Sequence, residues 1–105
     1  MTIIFTEDFE KDVKRLRKKY RSITGDIFAL TESLKINPIQ GTPMRRGIYK
    51  IRMSVSAKGK GKSGGARVIT LVLIEDDELY LVAIYDKSER ANITDNELDN
   101  LIAGI

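Results

Sequence analysis

Apolar residues recur along this chain at two distinct periods. Phe9, Val13, Leu16, Tyr20 and Ile23 fall three or four apart, the spacing of an amphipathic helix, and Thr6 stands at the N-cap position with Glu7, Asp8 and Glu10 in the first turn. The short apolar run Thr2–Phe5 ahead of it reads as a first or edge strand. Ser22, Thr24 and Asp26 are candidate caps for a second helix that turns Ile27, Leu30, Leu34 and Phe28 inward and stops at Asn37-Pro38. Two successive helices with a short joint predict an antiparallel hairpin. Ile39 to Arg46, holding Gly41 and Pro43, reads as a linker inside the fold.

The period then changes to two. Tyr49, Ile51, Met53 and Val55 lie on one face of a strand, and Lys50, Arg52 and Ser54 on the other. Strands are expected over Ile48–Val55, Ala66–Ile74 and Leu79–Tyr85, with the acidic stretch Glu75–Glu78 as a tight hairpin between the last two. Those two are apolar on both faces and therefore central. Thr94 and Glu97 have capping-box spacing, and Leu98, Leu101, Ile102 and Ile105 form the stripe of a short final helix. The layout is α+β: an antiparallel or mixed sheet packed against an N-terminal helical hairpin, with a short C-terminal helix. At 105 residues it is a single domain, 1–105, with no internal repeat.

Charge changes this picture because it is segregated. Ser33 to Ile74 holds no acid but nine cations, Lys35, Arg45, Arg46, Lys50, Arg52, Lys58, Lys60, Lys62 and Arg67; from Glu75 onward nine acids face only Lys87 and Arg90. A surface with that polarity suits a polyanion. The basic outer face of the first helix has a plainer explanation, since cations in a last turn complement the helix dipole. The chain has neither cysteine nor histidine, so disulfides, thiolate chemistry and imidazole acid–base catalysis are excluded. No apolar run is long enough to span a membrane and the N-terminus lacks a signal-peptide layout, so the expected location is the cytoplasm.

The candidate chemistry lies in residues 49–67. Lys50 and Arg52 share a strand face, Lys58, Lys60 and Lys62 alternate with glycines in a flexible loop, and Arg67 opens the next strand. A phosphate-loop reading of Gly59 to Ser63 fails, because Ser56 stands where the first glycine is needed and a strand follows instead of a helix. The cluster suits binding of a phosphodiester backbone and also cleavage of RNA, whose 2′-hydroxyl is its own nucleophile. The protein would add charge for the phosphorane, a base and an acid. Arginine supplies the charge, and lysine acts as base only if neighbours or burial lower its pKa, which Arg52 beside Lys50 would encourage. The plainer alternative is a solvated, merely binding surface.

At these residues the chain resembles the RelE superfamily of bacterial toxins, and more closely its HigB-like branch. The likeness is carried by Tyr49-Lys50-Ile51-Arg52, the loop Lys58 to Gly65, Arg67-Val68-Ile69, Leu79-Tyr80-Leu81 and Ile84 to Glu89, and it spans nearly the whole chain. It implies a toxin of a type II toxin–antitoxin system. Such a toxin cuts mRNA in the ribosomal A site as a metal-independent endoribonuclease without cofactors, and is held inactive by an antitoxin encoded beside it. Bacterial origin rests on this resemblance alone.

Carried over, Lys50 matches a family lysine serving as base or phosphate contact, Arg52 replaces a second lysine, and Arg67 matches the arginine that stabilises the phosphorane. Ser88 aligns where RelE has a catalytic arginine, leaving Lys87 as substitute acid. Thr94 aligns with a base-stacking tyrosine, leaving Tyr85 as the nearest aromatic. Lys58, Lys60 and Lys62 would grip the RNA, and Arg67→Ala should abolish toxicity at little cost in stability. The rival readings are a non-catalytic RNA- or ribosome-binding module, a ParE-like toxin acting on DNA gyrase, and a degenerate toxin that folds and binds antitoxin but no longer cuts.

Overall fold

The computed structural model describes residues 1–59, 61, 62 and 64–105. Strand β1 (Thr2–Phe5) leads into helix α1 (Glu7–Lys19). Thr6 caps that helix by accepting from Phe9 N at 3.2 Å, and its hydroxyl donates to the Leu81 carbonyl at 3.0 Å, which pins the start of the helix to the sheet. After the C-cap Tyr20 the chain turns into helix α2 (Ile23–Ile36). Ile23, expected at the end of the first helix, is therefore the buried first residue of the second. Phe28, expected inward, is 61% exposed.

Four further strands follow, β2 (Thr42–Arg45), β3 (Ile48–Met53), β4 (Ala66–Leu73) and β5 (Glu78–Asp86), and then helix α3 (Asp95–Ile102). The sheet order is β1-β5-β4-β3-β2, with β1 parallel to β5 and the other pairs antiparallel. The expected linker thus contains a strand. β2 lies at the sheet edge, where Pro43 removes no interior ladder hydrogen bond, and its register shifts between Pro43 and Arg45. Gly41 makes this edge possible: its φ is +89°, and a Cβ there would run into the Lys50 carbonyl of β3.

Both sheet faces are covered, as the two-sided apolar strands require. On one face Phe9 and Leu16 of α1 and Ile23, Ile27 and Leu34 of α2 pack against Ile51, Met53, Val68, Leu79, Leu81 and Ile84. On the other, Leu98 of α3 and Ile93 pack against Ile48, Ile69, Leu71, Val82 and Tyr85. Thr94 and Glu97 form the expected capping box. The stripe of α3 is shorter than expected, because Ile105 lies beyond the helix and is exposed.

Candidate active site

Period-2 alternation places Lys50 and Arg52 on the α3 side of β3, and the antiparallel register then fixes their neighbours. Arg52 pairs directly with Arg67 of β4, Arg67 pairs with Tyr85 of β5, and Lys50 pairs with Ile69. Arg52, Arg67 and Tyr85 therefore form one row across three strands. Arg52 is exposed. Arg67 is only 6% exposed, and its guanidinium donates to the carbonyls of Lys62 at 3.1 Å and Ala66 at 3.2 Å. Like charges directly opposite each other on a sheet are unfavourable, so this pair works against stability.

Two more amines reach the same end of the sheet. Lys50 Nζ donates to Asn92 Oδ1 at 3.4 Å, and Lys87 Nζ to the carbonyl of the adjacent Ala91 at 3.5 Å. Among the described residues no carboxylate lies within 4.0 Å of the amine or guanidinium groups of Lys50, Arg52, Lys62 or Lys87. Lys62 is exposed on the loop, and together with Lys50 and Arg52 it borders a cleft of about 550 Å³ between α2 and the β3 edge.

The other expected site residues are placed differently. Lys58 lies in a single 3₁₀ turn, Ser56–Lys58, and its side chain passes to the opposite face of the sheet. There its Nζ bonds Asp86 Oδ1 at 2.8 Å and the Gly65 carbonyl at 3.3 Å, and its side chain is 6% exposed. Lys60 lies outside the described residues. Tyr85 is 4% exposed, and the Arg90 guanidinium sits 5.2 Å above its ring, so that face is already occupied. Burial pushes the Tyr85 phenol up, against the nearby charges of Arg67 and Arg90. Its hydroxyl has no hydrogen-bond partner among the described residues.

Sequence reasoning passed over Arg90 and Asp86. Arg90 returns over Tyr85 because the backbone turns at residues 86–90, with Glu89 N and Arg90 N both donating to the Asp86 carbonyl. Its guanidinium meets Glu97 at 2.6 Å, and this bond, with donors from Thr94, holds the Glu97 carboxyl down at about 2. Burial pushes Asp86 up, but hydrogen bonds from Lys58, Tyr20 and Ser88 outweigh it and hold the carboxyl well below the usual carboxylate range.

Both acids are depressed in the folded state, so each stabilises the fold only when ionised. Their contribution is complete above the ordinary carboxylate values and is lost as pH falls toward the depressed ones. The melting temperature should hold steady above about pH 5 and fall steadily toward about pH 2. Glu97→Gln should be less stable at neutral pH and lose less on acidification, which thermal melts across that range would read.

The architecture and this constellation define the class: a small α+β protein with a helical hairpin on one sheet face and a cluster of cations at one end of the other. The chain belongs to the RelE toxin family, whose model, described as the RelE toxin of the RelE/RelB toxin–antitoxin system, matches residues 26–103. The isolated Escherichia coli RelE toxin, known from its crystal structure, is similar in fold, with a TM-score of 0.58 at 16% identity over 99% of this chain and 98% of that one. The chain is thus a toxin of the type II toxin–antitoxin class.

Proposed function

We propose that the chain is a ribosome-dependent mRNA endonuclease that arrests translation by cutting the message in the ribosomal A site. The observation that carries the reading is the cross-strand pairing of Arg52 with Arg67, a repulsive arrangement flanked by cations that no carboxylate of the described residues neutralises. A phosphate between the two guanidiniums would turn that repulsion into binding.

Arg52 is the exposed member and meets the phosphate first. Arg67 beneath it exchanges the neutral Lys62 carbonyl for an anionic phosphate oxygen, a stronger acceptor. Lys50 is the base of this scheme and takes the proton of the 2′-hydroxyl. The 2′-oxygen bonds to phosphorus, the two arginines hold the phosphorane charge, and the bond to the 5′-oxygen breaks as Lys87 returns a proton to the leaving group. The guanidiniums supply the charge that a metal supplies in other nucleases.

Lys62 contacts the backbone of the RNA outside the reacting centre. Lys58 and Tyr85 are assigned no RNA contact, because one is bonded inward to Asp86 and the other lies beneath Arg90. The family implies an antitoxin partner, and the cytoplasm, where ribosomes translate, is the proposed site of action.

Lys62→Ala should weaken RNA binding modestly and lower the slope of log affinity against log salt by about 0.7, one single-strand phosphate contact. The proposal itself is tested in a translation extract programmed with one mRNA. Full-length message should disappear while ribosomes translate it and survive when they are withheld. Intact message under blocked protein synthesis would favour the binding module instead.

A further inference from the structure

On the sheet face opposite the arginine row, one buried carboxylate collects an unusual number of donors. The side chain of Asp86 is 1% exposed. It accepts from Lys58 Nζ at 2.8 Å, Tyr20 Oη at 2.6 Å, Lys19 Nζ at 3.1 Å, Ser88 Oγ at 2.7 Å and Ser88 N at 3.0 Å. These donors come from three separate pieces of chain: the end of α1, the basic loop, and the turn that follows β5.

Two of those pieces carry the proposed chemistry. Lys58 also donates to the Gly65 carbonyl, so its amine ties the start of the loop to its end, one residue before β4. The same Gly65 carbonyl accepts from Lys87 N at 3.1 Å. Ser88, held by both its backbone and its hydroxyl, fixes the turn from which the Lys87 side chain emerges. The loop's first residues are anchored independently, with Asp26 accepting from Ser56 Oγ at 2.6 Å and Ser22 Oγ from Ala57 N at 2.9 Å.

A fold that needed only stability would gain little from this arrangement, since a buried ion pair roughly breaks even against apolar residues of similar volume. What it supplies is a fixed position for the two ends of the basic loop and for the turn after β5. We propose that Asp86 and Lys58 are positioning residues. From the far side of the sheet they tie Lys58 to Gly65 and hold the 87–89 turn so that Arg67 and Lys87 face one phosphate. This rests on the cleavage reading above for its consequence, but not for its geometry.

Either single replacement leaves a buried charge unpaired and endangers the fold, so the test uses the paired variant Asp86→Asn with Lys58→Met. Amide hydrogen exchange at Gly65 and Lys87 should quicken at least about tenfold while the core amides of Val68 and Ile84 keep their protection. Turnover on mRNA-programmed ribosomes should fall about tenfold or more, with KM changing less than about threefold. Loop amides as protected as in the wild type would overturn the assignment. So would a raised KM at unchanged kcat, which would mark Lys58 as an RNA contact, and so would a paired variant that does not fold. A wild-type protein that leaves mRNA uncut would sink the cleavage reading alone, and the exchange measurement would still decide the positioning role.

Discussion

Replacing Arg67 by alanine should lower mRNA cleavage by about 10²–10³-fold, the usual consequence of removing one preorganised donor from a developing anion. The loss should appear in kcat, because the proposed mechanism leaves Arg52 and Lys62 to meet the RNA and gives the Arg67 guanidinium its strongest contact as charge builds on the phosphorane. The change is not silent for the fold. Arg67 is nearly buried and its guanidinium satisfies the Lys62 and Ala66 carbonyls, so truncation should cost about 1–3 kcal/mol. From sequence alone the expected cost was small; burial of the stem and the two backbone bonds raises it. Relief of the repulsion from Arg52 offsets part of that cost. Arg67→Lys separates the effects, since it keeps charge without the fork and should remain far less active than the wild type. A melting curve and a single-turnover cleavage rate on each variant read both.

Gly65→Ala should be the most damaging small change in the loop. A Cβ at this position would collide with the Met53 carbonyl oxygen and press on the backbone at Val55, neither of which is a flexible side-chain end. The backbone must move, at a cost of about 3 kcal/mol, among the larger effects of a single substitution. Gly65's own carbonyl, which accepts from both Lys58 Nζ and Lys87 N, moves with that backbone, so activity should fall further than stability alone explains. Gly59→Ala is the internal comparison. Its φ of +66° carries a strain cost but no atom of the described residues obstructs a Cβ, so it should be the milder of the two in both melting temperature and cleavage.

The arginine row was legible in the sequence because strand alternation is a local signal: Lys50 and Arg52 share a face whatever the rest of the chain does. That the row would extend through Arg67 to Tyr85 depends on register, and the register carried from the β4–β5 hairpin shifts by one residue between Ile69 and Thr70, a bulge that strand alternation does not announce. Cap chemistry was equally readable, with Thr6 and Thr94 both serving as the side-chain caps their spacing predicts. Ser22 was half readable. It holds the N-cap position of α2, but its hydroxyl is spent on Asp26 and Ala57 N rather than on the helix.

What escaped was contact over long separations. Asp86 lies 66 residues from Tyr20 and 28 from Lys58, so nothing in its own neighbourhood marks it as a hub. For the same reason Lys58 reads as one of three equivalent loop cations, whereas its partner on the far sheet face sets it apart from the exposed Lys62. The edge strand β2 was hidden by Gly41 and Pro43, residues that punctuate loops but are tolerated where one side of a strand meets solvent. Phe28 follows Ile27 directly, about 100° around α2 from the buried stripe of Ile23, Ile27 and Leu34, which leaves its ring exposed.

In the proposed function the cations around Arg52 and Arg67 cut mRNA on the ribosome. The most direct test maps 5′ ends on a defined mRNA after incubation with the protein, with and without translating ribosomes, and with Arg67→Ala in parallel. New ends should appear within the codon occupying the A site, dependent on ribosomes and lost in the variant. No new ends while translation is still inhibited, or ends that persist undiminished in a folded Arg67→Ala protein, would contradict it.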